Sequence, residues 1–68
     1  MADMKTIARQ AADWPDQREL AEEYEVSFRM VRRLVATGEV ESIRLGKIRV
    51  SPESFERWLA AQYRPGEA

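Results

Sequence analysis

Neither cysteine nor histidine occurs in this chain. The first absence removes disulfides and thiolate metal sites as supports for a small core. The second removes the commonest general base and the commonest metal ligand. No apolar run approaches the roughly 18 residues needed to span a bilayer, and the opening MADMKTIARQ lacks the long apolar segment of a secretory signal. The expectation is a soluble, cytoplasmic protein with no membrane partner. A chain of 68 residues buries only about 60% of the surface it exposes when unfolded. It has little room for a desolvated pocket in which paired carboxylates could be tuned for acid–base work. The composition therefore points away from an enzyme, and no catalytic residue, cofactor or metal site is expected.

Excess charge of one sign is also missing, since the formal net charge is only −1. That near-balance hides an uneven distribution. Residues 27–51 hold six of the eleven basic side chains (Arg29, Arg32, Arg33, Arg44, Lys47, Arg49) against two acids, Glu39 and Glu41. The remainder holds the other five basic residues against ten acids. A basic region set among acidic surroundings is the electrostatic footprint expected of a surface that meets phosphates.

The chain has no internal repeat and no low-complexity segment. Met4, Ile7, Ala8 and Ala11 are spaced i, i+3, i+4, i+7, which suits a short amphipathic helix within residues 1–13, with a loosely ordered arm as the alternative. Pro15 disfavours helix at Trp14, and Asp16 followed by Glu19 has capping-box spacing. A helix is predicted over 16–24, with Leu20, Ala21 and Tyr24 on its apolar side. After EYEVS, Ser27 can cap a second helix over 27–37, on which Phe28, Val31, Leu34 and Val35 share one face. Arg29, Arg33 and the small Ala36 lie on the opposite face, with Met30 and Arg32 on its flanks. Gly38 suits the C-terminal stop.

In VESIRLGKIRVS, apolar and basic residues alternate on both sides of Gly46, which reads as a β-hairpin with one apolar and one basic face. Ser51, Pro52 and Glu53 then have the order of an N-cap, a first helical residue and a first-turn acid. The helix they open should run to about Gln62 and bury Phe55, Trp58 and Leu59. Trp14 either covers the bottom of the core or anchors a partner.

The expected fold is α+β and mostly helical: a winged helix-turn-helix of three helices and a two-stranded hairpin wing over residues 14–62. Residues 1–13 precede it as an arm or short helix, and residues 63–68 follow as a flexible tail. In such a unit the second helix enters the DNA major groove, where arginine can donate two hydrogen bonds to guanine. The basic side of the hairpin would lie on phosphates or in the neighbouring minor groove.

The run LAEEYEVSFRMVRRLVATGEVESIRLGKIRVSPESFERWL resembles the excisionase-type, MerR-like winged-helix family. That family's pattern is helix, VS turn, helix ending in Gly-Glu, a wing running from IR.G to RV, and a helix opened by Ser-Pro or Ser-Arg and closed by an aromatic. The resemblance covers residues 17–62. It implies a recombination directionality factor of a phage or integrative element: a protein without chemistry of its own that binds repeated sites in an attachment region, bends double-stranded DNA and assists an integrase in excision. It also implies cooperative self-association on DNA and a place at the nucleoid of a prokaryotic host. Carried over by position, Ser27, Arg29, Met30, Arg32 and Arg33 would face the major groove or its flanking phosphates, and Arg44, Lys47 and Arg49 would form the wing contact. The family's wing is often richer in arginine beyond the glycine than GKIR.

Competing readings stand beside each of these. Arginines on an exposed helix face are commonly a solvated face, Met30 can pack at the edge of the core, and Arg44 and Arg49 can pair with Glu41 or Glu39. At the level of function, the alternatives are a small prophage transcriptional regulator with inverted half-sites and a protein-interaction module built on the winged fold.

Overall fold

The computed structural model describes residues 3–66. Its order is α1 (Met4–Ala11), α2 (Gln17–Tyr24), α3 (Phe28–Thr37), β1 (Ser42–Leu45), β2 (Lys47–Val50) and α4 (Pro52–Gln62). These four helices and one antiparallel hairpin form a winged helix-turn-helix. Residues 1 and 2 of the expected arm and residues 67 and 68 of the expected tail lie outside the described range. Residues 63–66 carry no regular element.

Short polar side chains open every helix. Asp3, Asp16, Ser27 and Ser51 stand at the four N-caps, each accepting a backbone N–H from the first turn. At Asp16 the box is reciprocal: its carboxylate accepts from Glu19 N at 2.8 Å, and its own N–H donates to the Glu19 carboxylate at 2.9 Å. Such caps satisfy backbone donors that the helix itself leaves without partners. Helices α2 and α3 both close with a Schellman pairing, Val26 N to Ala21 O at 2.9 Å in α2 and Glu39 N to Leu34 O at 3.0 Å in α3. In α3 the left-handed residue is Gly38, φ 78°. In α2 it is Glu25, φ 55°, a non-glycine in a conformation that costs an L-residue about 1–2 kcal/mol.

The core is small and continuous. Leu20 and Ala21 of α2, Val31 and Leu34 of α3, Val40, Val50 of β2 and Phe55 of α4 are buried together. Tyr24, Phe28, Met30, Val35, Trp58 and Leu59 pack around them half-buried. Phe55 is its centre, with the Tyr24 ring edge-on at 4.9 Å and the Trp58 ring roughly parallel at 6.2 Å. Each fully buried side chain of this size contributes about 1.5–3 kcal/mol, so α2, α3 and α4 hold one another through a handful of residues.

Two buried serines join the hairpin to α4. Ser54 Oγ accepts from Glu41 N at 2.9 Å and donates to Ser51 O at 3.0 Å, while Ser51 N donates to Glu41 O at 2.9 Å. The hairpin base is thereby fixed against the first turn of α4.

The hairpin differs from the expectation of one apolar and one basic face. Its register pairs Ser42 with Val50, Ile43 with Arg49, Arg44 with Ile48 and Leu45 with Lys47, across Gly46 at φ 74°. Residues directly opposite in an antiparallel pair project to the same face. Ile43 therefore shares a face with Arg49, and Arg44 with Ile48, so both faces are mixed. The alternation within each strand holds, but two segregated faces would need a turn one residue longer or shorter. Burial instead changes along the hairpin: Val50 at the base is buried, Ile43, Ile48 and Arg49 are half-buried, and Ser42, Arg44, Leu45 and Lys47 are exposed.

Candidate nucleic-acid interface

Position along α3 decides which side chains are available to a ligand. Val31 and Leu34 are fully buried, so the opposite side of the helix must face outward, and Arg29, Arg32, Arg33 and Ala36 are all exposed there. Ser27 is exposed too, with its hydroxyl engaged as the cap that accepts Met30 N at 2.9 Å. Met30 is half-buried and packs against the core. Among the described residues none of Arg29, Arg32, Arg33 and Arg44 forms an ion pair.

Arg32 lies beside the Phe28 ring, its guanidinium carbon 5.7 Å from the centroid, and Arg18 of α2 lies over the same ring at 4.4 Å. Cations in this range are attracted by the ring's quadrupole, which orients two guanidinium groups around one aromatic anchor. Arg18 was not among the residues singled out from the sequence. The available signal was Arg18's place in the first turn of α2, across the short turn from Phe28. A cleft of about 320 Å³ lined by Asp16, Gln17, Arg18, Phe28, Lys47 and Ile48 brings the starts of α2 and α3 beside the wing tip.

The three wing residues separate. Arg44 is exposed and unpaired among the described residues. Lys47 is exposed and its Nζ lies 3.3 Å from Asp16 Oδ2. Arg49 is half-buried and turns inward, donating from Nη1 to the Trp14 carbonyl at 3.2 Å. The backbone between is joined as well, with Val50 N donating to Pro15 O at 2.9 Å and an antiparallel bridge between Asp16 and Arg49. Segment 14–16 thus runs beside β2, joined to it by an isolated antiparallel bridge. The structure brings Lys47 and Arg49 to that segment and leaves Arg44 exposed.

Asp16 consequently serves two elements at once. The hydrogen bond from Glu19 N and the nearby Lys47 ammonium hold its carboxyl below the usual carboxylate range. Glu39, after α3, is also lowered, first by the Thr37 hydroxyl at 2.8 Å, then by the Trp58 indole at 3.2 Å and the charge of Arg33.

The helix-turn-helix domain family model matches residues 16–63, and the chain belongs to that family of DNA-binding domains, which includes excisionase-like members. The match begins at Asp16 and so leaves α1 outside it. A search of curated proteins and a search of solved structures each found no match. Among the described residues no helix is long and apolar enough to cross a membrane.

Proposed function

We propose that the chain is a sequence-specific DNA-binding recombination directionality factor. The observation that carries DNA recognition is the outward row of Arg29, Arg32 and Arg33 on α3, opposite the buried Val31 and Leu34. In this reading the winged domain over residues 14–62 lays α3 in the major groove, where Arg29 and Arg33 reach guanine edges. Arg32 and Arg18, steered by Phe28, meet the flanking phosphates. Ser27 caps the helix at the groove, and Met30 supports it from the core side. Arg44 supplies the wing's phosphate contact, Lys47 joins it from the wing tip, and Arg49 sets the wing's angle. The acidic α2 face, with Glu22 and Glu23 exposed, points its repulsion elsewhere and limits unspecific association.

The excision role rests on the residue pattern from the VS turn through IRLGKIRV to SPES, which is similar to excisionases. In that role the protein loads cooperatively on adjacent direct repeats, bends the attachment DNA and presents it to an integrase.

The test is to incubate the protein with fragmented DNA of its source genome at near-physiological salt, recover the bound fragments and footprint the strongest. Tandem direct sites beside an integrase gene, with excision stimulated in a purified recombination reaction, are the expected result. A single inverted site at a promoter would replace the excision role by transcriptional regulation. An absence of any salt-dependent duplex binding would overturn DNA recognition itself.

A further inference from the structure

Helix α1 buries only Ala11 completely; Met4 is 65% exposed and Ile7 is half-buried. Their stripe faces an open groove of about 1020 Å³ between α1, the base of β1 and the start of α4. Met4, Ile7, Trp14 and Ile43 supply its apolar lining. In a chain with so few large apolar side chains, four of them around an open groove are a substantial share withheld from the core.

The charged lining is of one sign. Asp13, Glu41 and Glu53 line the groove, and no lysine or arginine does. Glu41 and Glu53 share a single counter-ion, Arg57, at 3.5 and 3.8 Å. Asp13 forms no ion pair among the described residues. Three carboxylates against one shared guanidinium repel phosphodiesters and anionic lipid headgroups alike. The same arrangement attracts a cationic surface that also carries apolar side chains.

We propose that this groove receives a basic amphipathic helix of a partner protein. Helix-in-groove recognition lays apolar anchors at i, i+3, i+4 and i+7 into such a floor. Lysines or arginines flanking that stripe would meet Asp13, Glu41 and Glu53. Because α1 and Trp14 precede the residues matched to the helix-turn-helix family, one wall of the groove is an addition to the shared domain, and β1 and α4 supply the other. It joins a protein-docking surface to a domain whose basic side is turned to DNA.

The experiment uses the intact chain and a fluorescein-labelled synthetic peptide of about four helical turns, with leucine at the stripe positions and lysine elsewhere, read by anisotropy. One comparison peptide has the same composition scrambled, and another has glutamate in place of lysine. Saturable binding of the lysine peptide is expected, with both comparison peptides weaker by about tenfold or more, a difference of about 1.4 kcal/mol. Met4→Asp and Asp13→Lys should each weaken the lysine peptide by a similar factor. Both positions are exposed, so the variants should fold, and neither belongs to the DNA surface, so both should keep full DNA affinity. Glu22→Lys changes the net charge as Asp13→Lys does but lies on α2, and should leave peptide affinity unchanged. Equal binding of the scrambled peptide, or equal loss with Glu22→Lys, would reduce the effect to bulk charge and overturn the proposal. So would a peptide-free chain that sediments as a dimer until Met4→Asp dissolves it, since the occupant would then be a second copy. DNA titration of the same variants separates failure of the groove from failure of the DNA reading.

Discussion

Arg49 Nη1 donates to the carbonyl oxygen of Trp14 at 3.2 Å, which ties the second strand of the wing to the segment before the helix-turn-helix. The hydrogen bond from Val50 N to Pro15 O and the Lys47–Asp16 ion pair lie beside it. The wing is therefore braced from within by two of its own basic residues. Among the described residues Arg49 Nε is buried without a hydrogen-bond partner, so this side chain is held by packing and by its bond to Trp14.

The brace predicts a contrast between two wing arginines. Truncating Arg44 should remove about one unit from the slope of log affinity against log salt, as loss of one phosphate contact does. Arg49→Ala should lower both DNA affinity and thermal stability while leaving that slope unchanged. Titrations at several salt concentrations, with a thermal melt of each variant, distinguish the two roles; a slope lowered by Arg49→Ala would place its guanidinium on DNA.

The turn between α2 and α3 contains a removable strain. Glu25 adopts φ 55° where its side chain is exposed, a conformation glycine reaches without steric cost. Glu25→Gly is expected to raise stability by up to about 1 kcal/mol, the left-handed penalty less the added chain entropy. Urea denaturation would show this as a higher midpoint with an unchanged slope.

Ser54 is 5% exposed and its hydroxyl is the partner of Glu41 N. Ser54→Ala would leave that backbone donor without its partner where the hairpin base meets α4. The expected cost is about 1–3 kcal/mol, a large fraction of the stability of a domain this small. Ser54→Thr, which keeps the oxygen but adds a methyl group at a buried site, separates the hydrogen bond from the packing when both are measured by chemical denaturation.

The Tyr24 hydroxyl donates to Glu56 at 2.6 Å, and that bond, reinforced by burial and by the charges of Glu56 and Glu23, pushes its pKa up to about 12 from an ordinary 10. A folded-state pKa above the unfolded one means that the contribution to stability is complete below about pH 10 and disappears as pH rises through about 12. Absorbance titration of the phenolate should find one tyrosine ionising near 12. Glu56→Gln should move that midpoint down toward 10, and an unchanged midpoint would show that the hydrogen bond is not its cause.

Much of the architecture was legible because its determinants are local. Asp16 with Glu19, Ser27, Gly38 and the Ser51-Pro52 pair mark helix ends by chemistry acting within one turn, and the structure places each at the cap its spacing implied. The apolar stripe Phe28, Val31, Leu34 and Val35 also fixed which face of α3 turns outward. The hairpin's mixed faces were not legible, since alternation within two strands leaves their mutual register open until the turn is known. Arg49's inward course depends on segment 14–16 running beside β2, a contact more than thirty residues away in the chain. Arg18's approach to Phe28 depends on the left-handed bend at Glu25, a residue type that gives no sign of such a bend.

The turn at Gly46 makes the wing a matter of odd and even. Opposed residue numbers, such as Ile43 with Arg49 or Arg44 with Ile48, always have an even sum. Drawing Leu45 into the turn beside Gly46, with the second strand slipped by one residue, would pair Ile43 with Ile48 and Arg44 with Lys47 and make every sum odd. Isoleucines and arginines would then sort onto opposite sides, turning a braced hook into a two-sided ribbon. A slip of one residue in register, with no side chain altered, thus converts one mode of wing contact into another.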